Sequence, residues 1–147
     1  MAEPRLPPVV RGFGAVSFLN DLASEMVYPL LPALLTRTLG AGALALGALD
    51  GVADAVSSAV KVGAGWLSDR AGWRKPLVLA GYAIAAVTRP VMGWAGAAWQ
   101  VVALRGLDRL GKGARTPPRD ALIADAVELN LRGRAFGYQR AMDHAGA

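Results

Sequence analysis

Long, nearly uniform apolar runs alternate with short charged interruptions along the chain. The first run extends from Phe13 to about Leu35, long enough at about 1.5 Å per residue to cross a hydrocarbon core of ~30 Å. Asn20, Asp21 and Glu25 break its apolar character, and Pro29 and Pro32 predict a kink or local unwinding in its second half. A short connection, Thr36 to Gly42, carries only Arg37. The second run, about 43–66, is rich in Ala and Gly, with Gly47 and Gly51 spaced as in a small-residue helix seam. Asp50, Asp54, Ser58 and Lys61 recur there at helical spacing and share one face. The third, about 76–98, opens on Pro76 as a first-turn proline and holds Arg89-Pro90 near its middle.

The fourth run, about 99–124, starts apolar at Trp99 to Leu104. It then carries Arg105, Asp108, Arg109, Lys112, Arg115, Arg119 and Asp120, with Gly111, Gly113, Pro117 and Pro118 among them. At helical periodicity the basic residues fall on one stripe, as a helix face lining a watery cavity would present. A helix ending at Leu110 followed by a solvated loop is the alternative, but that span is too short to cross a bilayer and the chain turns apolar again at Ala121 to Ala126. The pattern therefore predicts a broken spanning helix. A fifth segment opens near Ala135. Ahead of the first, residues 1–12 form a proline-rich N-terminal segment that contains Glu3 and lacks the pattern of a cleavable signal peptide.

Charge adds an orientation. The stretch Gly65-Trp66-Leu67-Ser68-Asp69-Arg70-Ala71-Gly72-Trp73-Arg74-Lys75-Pro76-Leu77 predicts a tight loop between the second and third helices, turning at Gly72. Sorted by side, Arg5, Arg11, Arg70, Arg74, Lys75, Arg132 and Arg134 fall together, and Arg37 falls opposite. The positive-inside rule then puts the N-terminus and this loop in the cytoplasm. The net charge of +5 and the pI near 10.2 are accounted for by topology, not by a nucleic-acid partner. Composition agrees: 54% of residues are hydrophobic and 18% charged, below the usual quarter or so. With no cysteine and a single histidine, His144, neither a thiolate nor a histidine metal site can be built, and no cofactor is expected.

Gly106-x-x-x-x-Gly111-Lys112-Gly113 nearly matches a phosphate-binding loop, but Gly113 stands where the magnesium-holding Ser or Thr belongs, and strands do not alternate with helices around it. Charges within apolar spans cost roughly 2.5–3.5 kcal/mol each at mid-bilayer, so pairing or function is their default reading. Counting helical rise from the cytoplasmic ends puts Glu25 and Asp54 at a common depth of roughly 18 Å, with Arg89 and Lys112 near it. Transporters place substrate and ion sites at that level. Asp21 and Glu25, one turn apart, are the proton-coupling candidates, since close carboxylates in an apolar setting exchange protons near neutral pH.

Gly65-x-Leu67-Ser68-Asp69-Arg70-x-Gly72-x-Arg74 resembles the signature of the major facilitator superfamily, found between its second and third transmembrane helices. Arg105 with Gly106 and Gly111, and Arg132-Gly133-Arg134, resemble its fourth helix and following loop. Asn20-Asp21-x-Ala23-Ser24-Glu25-Met26 and Asp108-Arg109-x-Gly111-Lys112-Gly113-x-Arg115-x-x-Pro118-Arg119-Asp120 resemble a little-characterised prokaryotic permease subgroup within it. The resemblance implies an all-α membrane bundle of twelve helices in two halves, of which this chain supplies four and the start of a fifth; the C-terminal helices would be partners outside it. It implies that Gly65, Asp69, Arg70, Gly72, Arg74 and Lys75 form a gating loop in which Asp69 makes charge pairs. The usual basic residue four after the aspartate is replaced by Trp73, so Arg70, Arg74 or Lys75 must serve, with Asp125 as the acidic partner. It also implies that the first and fourth helices line the cavity, which favours Asp21, Glu25, Arg105, Arg109, Lys112 and Arg115. Arg89, on the peripheral third helix, would neutralise a structural aspartate. For Asp50, Asp54 and Lys61 an interhelical ion network and a transport role both stay open.

The expected protein is therefore a multi-pass cell-membrane transporter, not an enzyme. It would move a small solute by alternating access, with proton coupling. A complete four-helix carrier of the small multidrug type, with Glu25 as its essential carboxylate, and a non-transporting membrane scaffold are the alternatives.

Overall fold

The computed structural model describes residues 5–33, 36–37 and 43–147, so most of the connection expected before the second helix lies outside the described residues. Pro7 is extended and Pro8 occupies the first helical turn, where a missing amide proton costs nothing, so α1 (Pro8–Val27) starts there. It stops at Tyr28-Pro29, and a single turn, α2 (Leu30–Ala33), follows. α3 (Ala43–Ala71) is 29 residues long, α4 spans Arg74–Met92 and α5 Ala98–Asp125. A 3-10 turn at Leu129–Leu131 leads into α6 (Arg132–Gly146).

Two elements differ from the sequence-based expectation. The charged stretch from Gly65 is not a loop: residues Gly65 to Ala71 are the last turns of α3, and the turn itself is Gly72-Trp73, with Gly72 at φ +67°. Only glycine adopts that backbone freely. α5 is also unbroken. Pro117 and Pro118 remove the amide donors that the carbonyls of Gly113 and Ala114 would otherwise receive. Pro118 is nonetheless wholly buried, and packing on both sides holds the helix through this point. At its start, Gln100 Oε1 accepts from the amides of Gly96 (2.8 Å) and Ala97 (3.1 Å), satisfying donors that the helix leaves orphaned.

α5 is the centre of the bundle. α3 and α4 pack along it, and α1 packs mainly on α6. α3 presents Ala53, Ser57, Ala64 and Ser68, a buried stripe at helical spacing. Gly47 and Gly51, the expected seam, have open space around them because they lie off that stripe. The close crossing is elsewhere. A Cβ on Gly81 of α4 would lie 2.5 Å from the Gly111 carbonyl oxygen of α5, and one on Gly111 would lie 2.8 Å from the Gly81 carbonyl.

Apolar burial is split between the two ends. Leu31, Met92 and Val101 form one cluster; Val10, Ile123 and Ala135 form the other. Between them α5 buries charge: Arg105, Asp108 and Arg115 are 4%, 2% and 3% exposed. Large apolar side chains face outward instead, with Met26 and Leu79 at 70% and Trp94 at 84%. Among the described residues, no helix is both long enough and apolar enough to cross a membrane. Length is not what fails, since α3 at about 1.5 Å per residue extends about 43 Å. In α1 and α5 it is the charged residues that dilute the apolar windows.

The Gly81–Gly111 crossing makes a testable claim. Gly81→Val is expected to lower stability by about 1–3 kcal/mol by overpacking, read as a lower thermal midpoint of the purified full-length protein. Gly106→Ala, where nothing lies within 4 Å, is expected to leave the midpoint unchanged or raise it. Equal losses at both positions would contradict the crossing.

Candidate functional site

Helical periodicity sets the site. Arg105, Arg109, Lys112, Arg115 and Arg119 follow one another at three- and four-residue steps along α5, with Asp108 beside Arg109, so their side chains emerge close to one face. Asp108 neutralises the upper part of this face. Its Oδ1 accepts from Arg89 Nε at 3.1 Å, and its Oδ2 lies 3.6 Å from Arg105 Nη1. Arg89 also donates to the backbone carbonyl of Asn20 at 2.5 Å, tying α4 to α1. The Arg105 guanidinium lies over the Tyr28 ring, 4.5 Å from its centroid, and the Tyr28 hydroxyl donates to Asp50 Oδ2 at 3.0 Å. One chain of contacts thus links α4, α5, the end of α1 and the start of α3.

A second chain is centred on Ser17. Its Oγ accepts from Arg119 Nη1 (2.9 Å) and Gln139 Nε2 (2.8 Å), which uses both lone pairs and leaves its own proton for the Tyr82 hydroxyl at 3.1 Å. Gln139 donates also to Asp143 (2.9 Å), and Arg119 pairs with Asp120 (3.1 Å) and Asp143 (3.5 Å). The Arg115 guanidinium stacks 4.6 Å from the Tyr82 ring centroid and has no carboxylate partner among the described residues.

These two chains border a polar cleft between α1, α5 and α6, with Lys61 of α3 at its edge. Its larger lobe, about 420 Å³, is lined by Asp21, Lys112, Arg115 and Arg119 together with Lys61 and Asp143. A smaller lobe of about 210 Å³ shares Asp21 and Lys112 and adds Glu25, Tyr28, Arg105 and Arg109. Six of the seven residues predicted for the cavity are therefore brought together: Asp21, Glu25, Arg105, Arg109, Lys112 and Arg115. Asp54 is not among them, being exposed on α3 and lining neither lobe. The expected four-residue group at one depth is not assembled either, because Arg89 turns to Asp108 and the Asn20 carbonyl. A depth count fixes height but not rotation about the helix axis, and rotation decides both cases. Among the described residues, no three His, Asp or Glu side chains converge as a metal ion would need.

The charged stretch at the α3–α4 turn forms a separate group. Arg74 Nη1 pairs with Asp125 at the end of α5, while Arg74 Nη2 lies 3.9 Å from Asp69. Arg74 thus stands between the two acids where Trp73 could not. Arg70 stacks over the Trp66 ring at 5.3 Å, Lys75 is exposed beside Asp125, and Gly65 lies against Pro117. Ser17, Asp108, Arg119, Gln139 and Asp143 were absent from the predicted site. Ser17 is one turn before Asp21, and Asp108 and Arg119 lie on the stripe already noted, so spacing could have found them; Gln139 and Asp143 stand in a segment read only as the opening of a helix.

Asp108 carries two guanidinium partners, which sets its expected sensitivity. Asp108→Asn leaves Arg89 and Arg105 buried without their counter-charge and is expected to cost about 3–5 kcal/mol. Adding Arg89→Met is expected to recover part of that loss, measured as a coupling energy in a double-mutant denaturation cycle. Strictly additive losses would contradict the pairing.

Comparison with known proteins completes the picture. Residues 13–147 match the model of the Major Facilitator Superfamily. An uncharacterized MFS-type transporter of Methanocaldococcus jannaschii is 41% identical over 138 residues, covering 91% of this chain and 33% of that protein. An uncharacterized protein of Mycobacterium tuberculosis is 36% identical over 135 residues, 92% of this chain and 33% of that protein. The multidrug resistance protein MdtH of an Enterobacter species is 31% identical over 122 residues, 83% of this chain and 30% of that protein. The chain spans about a third of the length of these curated relatives. No solved structure matches. With its own charged α5 face, its glycine turn and a family match over nearly its whole length, the chain belongs to the Major Facilitator Superfamily, a family of multi-pass membrane transporters.

Proposed function

We propose that this chain is part of the N-terminal half of a proton-coupled secondary transporter that moves a small solute across the cell membrane by alternating access. The observation that carries the reading is the inverted distribution of side chains. Cations of α5 are buried and face the α1 carboxylates across a polar cleft, and large apolar side chains face out. Lipid would solvate that outer surface, and polar groups turned inward are affordable only where they pair or line a watery path. Exposed Trp66 and Trp73 flank one end of α4, and exposed Trp94 and Trp99 the other. The 19 residues of α4 extend about 28 Å, close to a hydrocarbon core, which supports reading the tryptophans as two interfacial belts. The missing C-terminal helices would close the open side of the cleft.

Arg11, Arg70, Arg74, Lys75, Arg132 and Arg134 gather at the α1 N-terminus, the α3–α4 turn and the α6 N-terminus, which supports a cytoplasmic N-terminus. Arg74, between Asp69 and Asp125, ties the α3–α4 turn to α5 and would serve as the cytoplasmic gate. Asp21 lines both lobes of the cleft beside Lys112. A proton taken up by Asp21 or Glu25 changes the charge seen by the α5 cations, and a change of partners there is what coupling requires.

Two measurements test this reading in proteoliposomes of the full-length protein. Asp21→Asn and Glu25→Gln are expected to reduce proton-driven uptake at least about tenfold while solute exchange without a gradient persists, and Asp54→Asn is expected to behave as wild type. Unchanged pH-dependent uptake in both cleft variants would sink the coupling. For the gate, Asp125→Asn breaks a half-exposed ion pair and is expected to cost under about 1 kcal/mol of stability, yet to slow uptake severalfold. Uptake at the wild-type rate in that variant would reduce the Arg74 cluster to a structural turn.

A further inference from the structure

We infer that the cleft recognises a small organic anion, held through its carboxylate or phosphate group by Arg109, Lys112 and Arg115. This rests on reading the cleft as the solute path and adds the substrate's charge to it. Of the acids near the cleft, Asp108 is engaged by Arg89 and Arg105, and Asp120 and Asp143 are engaged by Arg119. That leaves Asp21, which accepts from Asn20 at 3.0 Å, and the exposed Glu25. Against these two stand Arg109, Lys112 and Arg115, with Lys61 and Arg140 at the outer wall, none in an ion pair among the described residues.

The three α5 cations are also placed in a way that repels. They stand three residues apart along one helix, where like charges destabilise one another, and burial removes the water that would screen them. Arg115 is 3% exposed, and among the described residues its contacts are the Tyr82 ring and the Gly81 carbonyl, at 3.5 Å. Arg109 Nε is buried with no acceptor, as is Arg105 Nε beside it. A guanidinium with an idle buried donor, next to an ammonium that makes no ion pair among the described residues, is what a bound carboxylate or phosphate oxygen satisfies best. A cationic solute would meet the same group as repulsion, and only Glu25 and Asp21 would attract it.

The test uses the purified full-length protein in lipid nanodiscs, titrated with succinate, glycerol 3-phosphate, neutral glycerol and cationic tetraphenylphosphonium. Saturable thermal stabilisation by succinate or glycerol 3-phosphate, with glycerol and tetraphenylphosphonium inert, is the expected result; which anion acts separates a carboxylate from a phosphate ligand. Arg109→Gln and Lys112→Ala are each expected to weaken that binding about tenfold, and Lys112→Arg is expected to retain it. Stabilisation by tetraphenylphosphonium alone, no anion-dependent shift, or equal anion binding in wild type and both neutral variants would each overturn the proposal. Anion binding without anion flux in proteoliposomes overturns the transport reading and leaves the site; flux of a neutral or cationic solute without anion binding overturns the site and leaves transport.

Discussion

Asp108 is the constraint on which the rest of the bundle depends. A single carboxylate, 2% exposed, serves Arg89 from α4 and Arg105 from its own helix. Burying such charges is costly unless geometry and further hydrogen bonds compensate, so every element that carries one must be held close. The Gly81–Gly111 crossing achieves that closeness for α4 and α5 by letting the two backbones touch where any side chain would intervene. Arg89 then reaches past α5 to the Asn20 carbonyl, and Arg105 reaches the Tyr28 ring, so the ion cluster also locates α1.

Apolar packing plays a different part from the one it has in a water-soluble domain. The two buried apolar clusters sit at opposite ends of the bundle, and the middle is held by ions, hydrogen bonds and helix contact through small residues. Where lipid replaces water, apolar surface gains nothing by turning inward, and van der Waals packing with interhelical hydrogen bonds must supply cohesion. The exposed Met26, Leu79 and Trp94 and the buried Arg115 are two sides of that one rule.

The pattern of apolar runs made the helices readable, and spacing along α5 made the cleft readable, because both depend on periodicity within one element. What stayed hidden depends on relations between elements. Asp54 has the same sequence credentials as Glu25, yet α3 turns it outward, and no count of helical rise contains that rotation. Gly47 and Gly51 show a small-residue spacing as good as any, whereas the real crossing joins Gly81 to Gly111, one glycine from each of two helices. The charged stretch from Gly65 looked like a loop because charge usually marks solvent. Its charges instead decorate the end of a helix, with Arg70 where a cation suits the C-terminal carbonyls. Proline marked one break and not the other: the helix breaks at Tyr28-Pro29, as the sequence suggests, but α5 runs on through Pro117-Pro118, where it is packed from both sides.

That contrast in packing divides the bundle into two unequal joints. α5 is bound to α3 and α4 along much of its length, through backbone-level contact at Gly81, Gly111 and Gly113. α1 belongs with α6, where Gly14 lies under Tyr138, and it meets α4 and α5 sparsely. Across the middle of that second joint the bonds are polar ones, Arg119 to Ser17, Ser17 to Tyr82 and Arg89 to the Asn20 carbonyl, with the two apolar clusters closing it only at the ends. A hydrogen bond exchanged for one to water or solute loses little net free energy, whereas interdigitated backbones cannot slide without a gap. The cleft opens along the joint that is easier to part, and the α5 cations and α1 carboxylates face each other across it.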